Sequence, residues 1–95
     1  MEKKIEHFFY VLECNDGSYY AGYTNDLERR VRVHNEGKGS KYTRAKLPVQ
    51  CIYYETFQDK REAMRAEYRF KQLTRIQKEN HIKEGKSTYE ITKKC

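Results

Sequence analysis

The sequence predicts an α+β domain: a small three-stranded antiparallel sheet flanked by helices, in the order β-β-α-β-α-α. Two observations carry this expectation. Residues 8–14 are aromatic and β-branched and too short for a typical helix, and residues 18–24 and 49–57 read as further strands. Three helix-capping residues each stand three positions ahead of Glu or Gln: Asn25 with Glu28, Asp59 with Glu62, and Thr74 with Gln77. A length of 95 residues suits one domain. We place it at residues 1–84, with a polar tail over 85–95.

The elements follow in chain order. Phe8 to Cys14 reads as a strand, Asn15-Asp16-Gly17 as a turn, and Ser18 to Thr24 as the returning strand. Gly17 suits the left-handed position that ends a three-residue hairpin loop. That loop pairs Cys14 with Ser18, Leu12 with Tyr20 and Tyr10 with Gly22, so Tyr10 and Tyr20 share one side of the sheet. A two-residue loop would send these tyrosines to opposite sides. Asn25 is expected to cap a helix over about residues 26–35, with Leu27 and Val31 inward and Arg30 and His34 stacked at the edge of that stripe. Gly37 lies just beyond its end. Residues 36–48, loosened by Gly37 and Gly39 and closed by Pro48, read as a loop. Val49 to Phe57 reads as the third strand. Asp59 opens a second helix whose stripe is Ala63, Ala66, Phe70 and Leu73, with Glu67 at its edge. Thr74 opens a third helix, expected to stop near Glu84 ahead of Gly85.

Composition narrows the function. Lys and Arg number 20 against 14 Asp and Glu, a net charge of +6. The excess is local: residues 1–24 are net −2, residues 25–78 net +7, and residues 79–95 net +1. Nucleic acid is the first partner to expect for such a field. Within the loop, Lys38, Lys41, Arg44 and Lys46 face only Glu36, and Tyr42 adds a ring for stacking. An ordinary solvated loop is the plain rival reading. No stretch approaches the ~20 apolar residues of a membrane span, and the first six residues lack the apolar core of a secretory signal. A cytoplasmic location is expected. Cys14, Cys51 and Cys95 form no CxxC pair, so neither a disulfide framework nor a structural zinc site is expected.

Two tyrosines ten residues apart, the second in Tyr20-Ala21-Gly22, precede Asn25-Asp26-Leu27-Glu28-Arg29-Arg30-Val31, then His34, and Glu67 on a downstream helix. In this ordered set the chain resembles the GIY-YIG nuclease superfamily, and most of all its small stand-alone bacterial members. Phe8-Phe9-Tyr10 stands for Gly-Ile-Tyr and Tyr20-Ala21-Gly22 for Tyr-Ile-Gly, over about residues 7–73. The resemblance implies a phosphodiester-cleaving site with one divalent metal, Mg²⁺ or Mn²⁺. By position, Glu67 is the metal ligand, Arg30 holds the scissile phosphate, Tyr10 is the general base, Tyr20 positions phosphate or water, and His34 assists the proton relay. Gly22 belongs to the second motif. A phenol with a pKa near 10 needs positive charge nearby to act as a base at neutral pH, and Arg30, His34 and the metal are expected to supply it.

Each role has a plain alternative. Tyr10 and Tyr20 are two of nine tyrosines, Arg30 has arginine neighbours on a solvated helix, and His34 suits a helix C-terminus. Glu67 is placed to pair with Lys71 four residues on. The chain departs from the family pattern at Phe8, at Tyr23 where relatives carry lysine or serine, and at Glu79 where several have asparagine. The leading expectation is a metal-dependent DNA endonuclease, DNA being favoured over RNA. Its specificity is expected to come from substrate structure or damage, or from a protein partner. The alternative is a non-catalytic nucleic-acid-binding module that keeps the fold.

Overall fold

The computed structural model describes residues 6–93, with side chains described as far as Gly85. The strands are β1 (His7–Glu13), β2 (Tyr19–Thr24) and β3 (Gln50–Phe57). The helices are α1 (Leu27–Asn35), α2 (Lys41–Arg44), α3 (Lys60–Lys71) and α4 (Arg75–Lys93). The sheet is antiparallel with β1 in the centre, in the order β2-β1-β3. The expected α+β order therefore holds, with one extra turn of helix, α2, inside the basic segment.

The hairpin has the three-residue loop. Cys14 N–H donates to Ser18 O at 2.8 Å, Gly17 N–H to Cys14 O at 2.9 Å, and Gly17 takes a φ of +86°. Tyr10 faces Gly22 and Leu12 faces Tyr20, as the register of that loop requires. On the other side of β1, the pairing with β3 shifts between Val11 and Leu12.

The alternation of β1 divides the core into two layers. Phe9 and Val11 meet Phe70 of α3 and Ile82 of α4 on one face. Tyr10 and Leu12 meet Val49, Leu27 and Val31 on the other. Phe9, Tyr10, Val11 and Leu12 are all fully buried. Such burial stabilises by about 1.5–3 kcal/mol for each large apolar side chain. That a four-residue run is buried on both faces marks β1 as a central strand.

Three local expectations are corrected. The cap of α1 is Asp26, whose carboxylate accepts from Arg29 N–H at 3.3 Å, and not Asn25. Both residue types cap well, so the sequence did not choose between neighbours. The basic segment is not all loop: Ser40 caps α2 by accepting from Thr43 N–H. Gly85 does not stop α4, which continues to Lys93. A Cβ at position 85 would collide with the ring of Tyr53 on β3. Gly85 thus allows a close helix–sheet approach, at the usual cost of about 1 kcal/mol for glycine in a helix. Asp59 and Thr74 cap as expected, though Asp59 does so through Arg61 N–H and only Thr74 closes the full box. Asp59 accepts from Arg61 N–H at 2.9 Å, and Thr74 and Gln77 bond reciprocally at 2.9 and 3.2 Å.

One clamp had no sequence signal. Asn35, the last residue of α1, donates to Val49 O at 3.0 Å and accepts from Val49 N–H at 2.7 Å. It fixes where the chain enters β3 after the basic segment.

Candidate active site

The site is built where the hairpin, α1 and α2 meet. Tyr10 is 1% exposed, and its Oη lies 3.1 Å from His34 Nε2. Arg30, one turn before His34 on α1, donates from Nε to the same oxygen at 3.4 Å. The ring of Tyr20 lies 5.1 Å from that of His34 and 6.4 Å from that of Tyr10. Tyr10, Tyr20, Arg30 and His34 therefore converge, as expected from their spacing. Gly22 explains why the approach is possible: a Cβ there would stand 2.5 Å from Tyr10 Oη. The glycine of the second motif makes room for the tyrosine of the first.

His34 is not at the edge of a stripe. It is the buried residue of α1, with no exposed surface. Its Nδ1 lies 2.9 Å from Thr43 Oγ1, and Thr43, equally buried, donates its hydroxyl to Ser40 O at 3.1 Å. Thr43 was not singled out in the sequence. It is one of three hydroxyls in the basic segment, with Ser40 and Tyr42, and nothing local shows that it points inward.

The electrostatics correct one expectation. Burial, with the Arg30 charge acting in the same direction, pushes the His34 pKa down to about 4, so the ring is neutral at neutral pH. His34 adds no positive charge beside Tyr10. Burial pushes Tyr10 up to about 12, the hydrogen bond from Arg30 opposes that rise, and the charges of Tyr20 and Glu67 add to it. Tyr10 is a protonated phenol in this structure. Arg30 is the cation that lowers its pKa.

Glu67 projects from α3, half-buried, and forms an ion pair with Lys71 at 2.9 Å. The plain alternative for this residue is thus observed, while its charge is still felt at Tyr10. Among the described residues no group of three or more His, Cys, Asp or Glu gathers to hold a metal ion. A single carboxylate suits a hard, hydrated cation such as Mg²⁺, which takes its remaining oxygens from water and phosphate. It does not suit a metal needing an all-protein cage.

The basic residues divide into two kinds. Tyr42 stacks on Tyr20 with centroids 6.1 Å apart, and the Lys46 ammonium lies 3.9 Å above the Tyr42 ring. Lys46 also pairs with Asp16 at 3.4 Å. The Ser18 hydrogen bonds, aided by Lys46, draw Asp16 down to about 2. Lys46 and Tyr42 are thereby tied to the protein, whereas Lys38, Lys41 and Arg44 are exposed. An open groove runs along β2 between Tyr20, Tyr42, Phe70, Lys71 and Lys78.

The departures from the motif also find places. Phe8 packs edge-on against Tyr54, Tyr23 shares a 2.9 Å hydrogen bond with His7, and Glu79 pairs with Arg75 at 2.9 Å. Cys14 and Cys51 are free thiols. No helix among the described residues is long and apolar enough to cross a membrane.

Comparison with known proteins agrees with this geometry. Residues 6–80 match the family model described as the GIY-YIG catalytic domain. A UPF0213 protein of Bacillus velezensis is 64% identical over 84 residues, 88% of this chain and 85% of the relative. The UPF0213 protein YazA of Bacillus subtilis is 58% identical over the same shares. The solution NMR structure of a UPF0213 protein from Bacillus halodurans superposes with a TM-score of 0.60. It is 46% identical, with 95% of this chain and 96% of that one covered. A second solution structure, from E. faecalis, gives a TM-score of 0.59 at 53% identity, covering 87% and 88%. The hairpin that carries both tyrosines, the helix that carries Arg30 and His34, and these matches together show that the chain belongs to the GIY-YIG family, a family of nuclease fold, alongside the UPF0213 proteins.

Proposed function

We propose that the protein is a divalent-metal-dependent endonuclease that hydrolyses phosphodiester bonds in DNA, directed by substrate structure or damage with little sequence preference. The observation that supports it most is the convergence of Arg30, His34 and Tyr20 on the buried Tyr10 hydroxyl. A phosphodiester resists attack because it is anionic, so cleavage requires charge neutralisation at phosphorus and an activated water.

In this reading Arg30 presents its fork to the non-bridging phosphate oxygens. Its Nε–H already bonds the Tyr10 oxygen, so it also stabilises negative charge that develops there. Tyr10 takes a proton from the attacking water as its own passes to the neutral His34 ring. The bond from phosphorus to the leaving oxygen breaks, and that oxygen takes a proton from solvent. His34, whose pKa is near 4, returns its proton through Tyr10. Tyr20 orients the phosphate or the water. Glu67 would hold the divalent cation, which when bound supplies further charge neutralisation at the phosphate. Lys71, which pairs with Glu67 in this structure, would then be free to meet the phosphate chain. Lys38, Lys41 and Arg44 extend the contact along the backbone.

The test is cleavage of nicked, branched, single-stranded and duplex DNA with Mg²⁺ or Mn²⁺ by wild type, Glu67→Ala and Tyr10→Phe. Loss of at least 100-fold in both variants is expected. Cleavage by Glu67→Ala equal to that of wild type, or no cleavage by either, rejects the proposal. The Lys71–Glu67 ion pair favours a second reading, a binding module without catalysis. That reading predicts salt-sensitive binding weakened by Lys41→Ala or Arg44→Ala and no cut product.

A further inference from the structure

We propose that Thr43 is a positioning residue that fixes the tautomer of His34, so that the bare Nε2 faces Tyr10 and accepts its hydroxyl proton. The inference follows from counting protons along one buried chain. Ser40 O is a carbonyl and only accepts; it takes the Arg44 N–H at 3.1 Å and keeps a second lone pair for the Thr43 hydroxyl, also 3.1 Å away. When the hydroxyl donates there, Thr43 Oγ1 presents a lone pair to His34 Nδ1 at 2.9 Å, an arrangement that puts the ring proton on Nδ1. Nε2 is left unprotonated, 3.1 Å from Tyr10 Oη, and the phenol donates to it.

The opposite arrangement fails on the same count. With the proton on Nε2, the Tyr10 oxygen would face two donors, Nε2–H and Arg30 Nε–H. Its own proton would have no acceptor among the described residues. Tyr10, His34 and Thr43 are all buried, and a buried donor without a partner is strongly disfavoured. No buried side-chain polar atom in the described structure lacks a partner. The backbone agrees: a Cβ at Gly39 would collide with the His34 ring at Nδ1, so the link between α1 and α2 lies directly on the edge that Thr43 serves.

This adds a residue outside the two tyrosine motifs to the machinery and gives α2 a task. The short helix turns Thr43 inward while Lys41, Tyr42 and Arg44 beside it are exposed. The catalytic consequence rests on the nuclease reading; the tautomer does not. With Nε2 bare, His34 can take the phenolic proton as Tyr10 acts on water, while Arg30 holds the emerging phenolate. With Nε2 protonated, that transfer is blocked.

The experiment separates the two claims. Long-range ¹H–¹⁵N correlation spectra of uniformly labelled protein at neutral pH report which ring nitrogen of His34 carries the proton. Wild type and Thr43→Ser are expected to show a protonated Nδ1 and a bare Nε2, and Thr43→Val a mixture or the reverse. Cleavage by Thr43→Val is expected to fall about 10–100-fold in kcat with KM little changed, and Thr43→Ser to restore it. A wild-type spectrum with the proton on Nε2 overturns the proposal even if Thr43→Val does not fold. So does a folded Thr43→Val with wild-type tautomer and rate. If wild type cuts nothing, the nuclease reading fails, and the spectra alone decide the tautomer.

Discussion

Tyr10 and His34 show how burial changes the chemistry of residues that the motif names. Their spacing brought them together on paper, because strand pairing and a helical turn are legible in sequence. Their protonation states were not, because desolvation depends on what covers them. His34 was expected to lend positive charge, yet its ring has no exposed surface and a pKa near 4. This makes a stability prediction with a definite sign. The folded pKa lies below the ordinary value of 6.5, so in acid the unfolded chain binds a proton that the folded chain refuses. The stability His34 contributes is complete above about pH 6.5 and is lost as pH falls towards 4. At about 1.4 kcal/mol per pKa unit the loss is roughly 3 kcal/mol. Urea unfolding of wild type and His34→Gln between pH 7 and 4 checks it, the variant profile being flatter by that amount. Parallel profiles contradict a buried neutral ring. Asp16, drawn below 3.8 to about 2, acts in a lower window and does not mimic the effect.

The elements were read well where the signal was periodic and poorly where it was short. The three strands, α1 and α3 each carry alternation or a helical stripe, and they stand within one or two residues of expectation. α2 escaped because four residues offer no period, and Ser40 reads equally well as a loop residue. The Asn35 clamp escaped because a side chain that reaches Val49 across the intervening segment leaves no local mark. The cap of α1 is the most testable correction. Asp26 accepts from Arg29 N–H, and its carboxylate also faces the positive end of the helix. Asp26→Ala is expected to cost about 1 kcal/mol, and Asn25→Ala a few tenths at most. Thermal melts of the two variants measured side by side decide this, and the reverse order would restore Asn25 as the cap. Because α1 carries both Arg30 and His34, the same Asp26 substitution is expected to loosen the site along with the helix.

At the scale of the molecule, the net +7 of residues 25–78 is only an upper bound on what nucleic acid can feel. The fold divides those charges. Lys46 is held by Asp16 and by the Tyr42 ring, Lys71 by Glu67, and Arg75 by Glu79. Lys41 and Arg44 stand exposed on α2, the same short helix that turns Thr43 towards His34. The sequence showed the charge of this segment but not which cations were already engaged, because the partners lie far away in the chain. The division predicts unequal effects on salt dependence. Each phosphate contact released lowers the slope of log K against log salt by about one. Fluorescence anisotropy with a labelled oligonucleotide over a salt series should therefore show a reduced slope for Lys41→Ala and Arg44→Ala. Lys46→Ala should change the slope less, since its ammonium already has an anionic partner. Glu67→Ala should leave the slope unchanged or steeper, because it removes an anion and frees Lys71. Equal losses at all three cations would mean that nucleic acid breaks the Asp16–Lys46 pair on binding. No loss at Lys41 and Arg44 would move the interface away from α2, towards the groove along β2.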